Sequence, residues 1–132
     1  MTFPAAEIRI ARPTDRLEEV LRFYHEGLGL PILGRFQDHD GYDGVMIGLP
    51  DERTHLELIH HANGSPGTAP SRENLLVLYI PDREARRALI ERLHAMGYPE
   101  VEPENPYWRG QSTTIADPDG WRVVLFDGLW PR

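Results

Sequence analysis

Asp15-Arg16-Leu17-Glu18-Glu19-Val20-Leu21-Arg22-Phe23-Tyr24-His25-Glu26-Gly27-Leu28-Gly29-Leu30-Pro31 opens on a capping residue and closes on glycine and proline. Leu17, Val20, Leu21, Tyr24 and Leu28 recur at the spacings of one apolar helical stripe. Asp15 with Glu18 three residues on has the pattern of a capping box, and Gly29 followed by Pro31 ends the helix. The same order returns later in the chain. Asp82 caps a second helix striped by Ala85, Leu89, Leu93 and Met96, and Gly97 and Pro99 stop it. Gly29-Leu30-Pro31 falls on Gly97-Tyr98-Pro99 at an offset of 68, Leu56-Glu57-Leu58 on Val123-Val124-Leu125 at 67, and Arg16 on Asp82 at 66. Three ordered matches at a nearly constant offset mark an internal duplication.

Strand-like stretches surround both helices. Ile8 and Ile10 alternate with polar neighbours, and Leu30–Gln37, Gly44–Leu49 and His55–His61 follow the first helix, with turns at Asp40-Gly41 and Pro50-Asp51. Leu75–Ile80 precedes the second helix; Glu100–Glu102, Thr113–Ala116 and Arg122–Asp127 follow it. Residues 62–73 are small, polar and rich in Pro and Gly, and read as a linker. The expected fold is α+β: one domain over 1–132 of two tandem βαβββ modules, 5–61 and 74–128, joined by 62–73. A lone unit of this kind cannot cover the concave face of its curved mixed sheet. The two sheets are therefore expected to pair around a cleft that serves as the ligand pocket.

Composition narrows the classes of function. A hydrophobic fraction of 40% and a charged fraction of 27% are those of a globular chain. A net charge of −7, with 14 scattered basic residues, argues against nucleic acid as a partner. The chain has no cysteine, which excludes disulfides, thiolate metal sites and cysteine nucleophiles. The residues from Met1 show no signal-peptide pattern, and no apolar run approaches the length of a membrane span, so the expected location is cytoplasmic. No P-loop glycine motif is present, and Ser65, Ser71 and Ser112 lack surroundings that would activate a nucleophile.

The chain resembles the vicinal oxygen chelate (VOC) superfamily of glyoxalases, bleomycin-resistance proteins, fosfomycin-resistance enzymes and extradiol dioxygenases. The residues that carry the resemblance are Phe23-Tyr24, Gly27-Leu28-Gly29-Leu30, Leu56-Glu57-Leu58, Asn105-Pro106-Tyr107-Trp108 and Asp117-Pro118-Asp119-Gly120. It implies a pocket at the paired sheets, often completed by a homodimer. It also implies a divalent metal held by one residue from the first and one from the fourth strand of each unit. Those positions here are Arg9, Glu57, Leu75 (or Asn74) and Val124, and Glu57 alone matches the pattern. Arginine has no lone pair to offer, and leucine and valine have no donor atom. The expectation is a site with no metal and no other cofactor.

Alternation along the strands places His55, Glu57, Ile59 and His61 on the concave side with Arg9 and Ala11. Leu56, Leu58, Ile8 and Ile10 are expected to face the helix. Leu75, Val77 and Tyr79 are expected to face the pocket in the second unit. An Arg9–Glu57 ion pair is expected in place of the metal, because a guanidinium relieves the cost of a desolvated carboxylate. A rearranged metal site from His55, Glu57 and His61, or from His60-His61, is the alternative. Ligand contacts are assigned to Arg9, Glu57, Tyr79, Tyr107, Trp108 and Arg109, with Tyr42 and Met46 as further wall candidates and Trp121 as sheet packing.

The functional expectation is a small-molecule-binding homodimer of the bleomycin-resistance type, without the usual catalytic metal. The alternative is a glyoxalase- or dioxygenase-like enzyme, with a rearranged metal site or with Glu57 as general base and Arg9 steadying an enolate. A non-catalytic interaction protein with a self-filled pocket is the third reading. The residues do not identify the ligand.

Overall fold

A computed structural model describes residues 2–130; the Met1 and Arg132 ends of the expected domain range lie outside them. The chain divides after Gly67 into two compact units, each with a four-stranded mixed sheet. Unit 1 contains β1 (Ile8–Pro13), β2 (Ile32–His39), β3 (Tyr42–Gly48) and β4 (Thr54–His61), in the order β1-β4-β3-β2. Unit 2 repeats this with β5 (Leu75–Tyr79), β6 (Glu100–Val101), β7 (Ser112–Ala116) and β8 (Arg122–Phe126), in the order β5-β8-β7-β6. In each, the first strand pairs parallel to the fourth and the other pairs are antiparallel. The expected βαβββ repeat is present in both. No helix among the described residues is long and apolar enough to cross a membrane.

The first helical region is not one regular helix. α1 (Leu17–Leu21) passes directly into a π-helical segment, Arg22–Gly27, in which the Leu28 amide donates to the carbonyl of Phe23 five residues back. The wider turn lets Phe23 face inward beside Tyr24, and both are buried with Val20, Leu21, Val45, Ile47 and Leu58. The expected Asp15 cap is absent: the N-cap is Arg16, with no side-chain bond. The Asp15 carboxylate instead accepts from the Ser65 amide and lies 3.3 Å from His60 Nδ1. That contact bears on the expected linker. Its first half is docked on unit 1, where Ser65 Oγ accepts from the His61 amide and Gly67 is buried. A Cβ on Gly67 would lie 2.1 Å from the Pro13 carbonyl oxygen, so only glycine fits.

Ile8 and Ile10 are a second correction. They are 54% and 50% exposed rather than packed on the helix; the strand's inward anchor on that face is Arg12, whose guanidinium lies 5.6 Å from the Tyr24 ring centre.

α2 (Arg83–Ala95) starts where expected. Asp82 accepts from the amides of Glu84 and Ala85, and Gly97 follows the last turn at φ +96°. Leu93 is its one buried residue. With so little of the helix enclosed, the cap matters, and Asp82→Ala is expected to cost about 1 kcal/mol, measured as a lower urea midpoint.

Candidate functional site

A polar trio is built on the face of the unit 1 sheet away from α1. Cα partners Arg9 and His55 sit side by side on parallel strands β1 and β4, and Glu57 follows two residues along β4 on the same face. The Arg9 Nε–H donates to His55 Nε2 at 2.9 Å, and Arg9 Nη1 lies 3.6 Å from Glu57 Oε2. His55 and Glu57 are each 8% exposed, whereas half of the Arg9 side chain reaches solvent. One guanidinium thus does two tasks: it balances a desolvated carboxylate and occupies the lone pair of a buried imidazole. Accepting at Nε2 puts the proton of neutral His55 on Nδ1, and that buried N–H has no hydrogen-bond partner.

Around the trio the sheet is floored by glycine. Gly34, Gly44 and Gly48 lie on β2 and β3, and neighbouring side chains cover them. Met46 lies over Gly34, the Phe36 ring over Gly44, and Leu33 with Pro31 over Gly48. A Cβ on Gly44 would approach the Phe36 ring to 2.4 Å. Met46 pairs with Glu57 across β3 and β4 and shares its face of the sheet.

The alternative metal set does not assemble. His61 stacks edge-on against Tyr42 at 4.5 Å, and its Nδ1 accepts from the Asn63 amide. His60 lies on the opposite face, with Nδ1 3.0 Å from the Thr14 carbonyl oxygen. Among the described residues no three His, Asp or Glu side chains are grouped to hold a metal ion. The donor set is equally unsuited by chemistry. Arg9 has nothing to donate, Leu75 and Val124 are hydrocarbon, and the His55 lone pair nearest Arg9 is already taken. Asn74, the substitute for Leu75, accepts from Ser71 Oγ at 2.6 Å. These residues do not fit the metal implied by the resemblance.

The sheet of unit 2 carries an aromatic cluster. Tyr79 and Phe126 are register partners on β5 and β8, with ring centres 5.2 Å apart. Trp108 stands edge-on to Phe126 at 6.0 Å, and Tyr107 edge-on to Trp108 at 4.9 Å. The 3-10 turn Pro106–Trp108 that presents them is pinned at several points. Asn105 Oδ1 accepts from the Tyr107 amide, Ser112 Oγ donates to the Trp108 carbonyl and Gln111 Nε2 to that of Tyr107. Tyr79 and Tyr107 keep 38% and 51% of their surface exposed, so the cluster is not closed on itself. Arg109 leaves this group and pairs with Glu102. Trp121 is part-buried, and its amide donates to Asp117 in the Asp117–Gly120 turn.

Phe126, the centre of the aromatic cluster, was not singled out by the sequence reading, although alternation from Val124 points to it. The tie between His55 and Arg9 was also missed, because strand register between distant segments is not written in either one.

Known proteins agree with this architecture. The YycE-like N-terminal domain model matches residues 8–59, and the YycE-like C-terminal domain model matches residues 73–127. An uncharacterized protein, YycE, of Bacillus subtilis strain 168 is 51% identical over 126 residues, covering 96% of this chain and 91% of its own. The crystal structure of a YycE protein of unknown function from Bacillus subtilis superposes with a TM-score of 0.93 at 50% identity, covering 98% of this chain and 94% of that one. The trypanothione-dependent glyoxalase I of Leishmania major shares the fold at a TM-score of 0.71 and 19% identity, over 96% and 87% of the two chains. An antibiotic binding protein from a Streptomyces species shares it at 0.66 and 22%, over 95% and 98%. With both halves matched in order and each unit folded as a βαβββ module, the chain belongs to the YycE-like family of the VOC superfamily.

Proposed function

We propose that this protein binds a small organic molecule on an exposed sheet face and works without the metal used by the enzymes of its superfamily, in the manner of bleomycin-resistance proteins. The observation that carries the reading is the Arg9 guanidinium, engaged at once with His55 Nε2 and the Glu57 carboxylate. A cation at that position would face a fixed positive charge and compete with it for the Glu57 carboxylate. On unit 1 the exposed edge of Arg9 is a hydrogen-bond fork for a polar group, and on unit 2, taken by itself, the Tyr79–Phe126–Trp108–Tyr107 cluster offers flat apolar surface for a planar or cationic molecule.

A thermal-shift screen of planar aromatic cations and aromatic carboxylates tests this. A hit is expected to raise the melting temperature of the native protein, and the rise is expected to shrink in Arg9→Ala for a ligand held on unit 1 or in Trp108→Ala for one held on unit 2. Calorimetric titration with zinc, nickel, iron(II) and manganese is expected to give no saturable heat. A stoichiometric metal isotherm that Glu57→Gln abolishes would replace the binding reading with an enzymatic one.

A further inference from the structure

We propose a second binding site, for a small organic oxyanion (a carboxylate or a phosphate monoester), in the groove between α2 and the end of sheet 2. Arg86 and Arg87 stand three and four residues after Arg83 and share one face of α2 with it. With Ile90, Glu91, Thr113 and Asp127 they line a surface groove of about 360 Å³.

The middle arginine is fixed. Arg86 Nε lies 2.9 Å from Asp127 Oδ1, its Nη1 donates to the Ile80 carbonyl at 2.6 Å, and its side chain is 14% exposed. That engagement uses up Asp127. Among the described residues, the Arg83 and Arg87 side chains make no ion pair and no hydrogen bond. They stand at i and i+4, the spacing at which like charges repel along a helix. Three guanidiniums against the carboxylates of Asp127 and Glu91 leave the groove net positive in a chain whose net charge is −7. Every basic residue of this chain is arginine, the side chain whose planar fork takes an oxyanion by two parallel hydrogen bonds. Thr113 adds a hydroxyl on the opposite wall, and Ile90 adds a small apolar surface for the carbon body of the ligand.

This groove is separate from the aromatic cluster. Thr113 pairs with Leu125, whose buried side chain lies on the face of sheet 2 toward α2, whereas Phe126 and Tyr79 point to the other face. The site therefore stands whether or not the concave faces bind a ligand.

Titration of the whole protein with inorganic phosphate, and separately with acetate, tests it. Ionic strength is held constant with chloride, and amide and arginine Nε–H resonances are followed. Saturable shifts are expected at Arg83, Arg87 and Thr113. The double variant Arg83→Gln/Arg87→Gln is expected to raise the apparent Kd at least about tenfold, as loss of charge-assisted bonds should. Arg53→Gln, at an exposed arginine elsewhere, is expected to leave it unchanged. Saturation by both anions assigns a general oxyanion site, and saturation by phosphate alone narrows it to phosphate monoesters. Linear shifts without saturation, equal shifts at Arg53, or undiminished affinity in the double variant would overturn the site.

Discussion

Phe23→Ala is expected to lower the folding free energy by about 3–5 kcal/mol, the cost of removing a fully enclosed aromatic ring. The ring has no solvent exposure and stands edge-on to Tyr24 at 4.9 Å. Val20, Val45, Ile47 and Leu58 are likewise wholly buried in this unit. Three of these sit on hydrogen-bonded strands that cannot slide inward without breaking register, so the space left by the ring will not close. The measurement is urea denaturation, with a lower midpoint at unchanged slope. Phe23→Leu, which keeps much of the volume, is expected to cost less than about 1.5 kcal/mol. A loss below about 1 kcal/mol in the alanine variant would mean that the π-helical segment does not hold the ring in the core.

The second large effect belongs to the polar trio. Arg9→Ala is expected to destabilise the protein by about 1–3 kcal/mol, because it leaves the Glu57 carboxylate desolvated without a cation. Arg9 is itself half exposed, which places the value toward the lower end. The sharper readout is the double-mutant cycle. Glu57→Gln removes the charge that Arg9 balances, so the second substitution should cost less in the background of the first. A coupling of at least about 0.5 kcal/mol is expected. Arg9→Lys is expected to restore stability only in part, because one ammonium cannot reproduce the fork that reaches both His55 and Glu57. Strict additivity of the two single variants would show that the pair carries no energy, and the proposed metal-free site would lose its basis.

The duplication was legible because it rests on local signals. A glycine and proline that stop a helix, and a strand that precedes the end of each unit, recur at nearly the same offset in both halves. The Asp82 cap was legible for the same reason. Asp15 misled because the same side-chain type serves equally well as a tie between loops, and which use prevails depends on where Ser65 comes to lie. The π-helical segment is invisible to periodicity, since Leu17, Val20, Leu21, Tyr24 and Leu28 fit a regular helix without it. Ile8 and Ile10 alternate as a buried strand would, yet burial is a property of what covers a strand and not of the strand. At the site, residue types identified Arg9 and Glu57, and their pairing followed from the cost of an isolated carboxylate. His55 drew attention only as a possible ligand, because its contact with Arg9 exists through a parallel pairing of residues 46 positions apart.

The segment joining the two units has a consequence for redesign. By composition it is the obvious place to lengthen the chain or to graft a tag, yet its first half is fastened. Ser65 is tied to Asp15 and His61, and Gly67 rests on the Pro13 backbone. An insertion there would prise a docked strap from its seat. Exposed Pro70, Ser71, Arg72 and Glu73 are where extra residues have room.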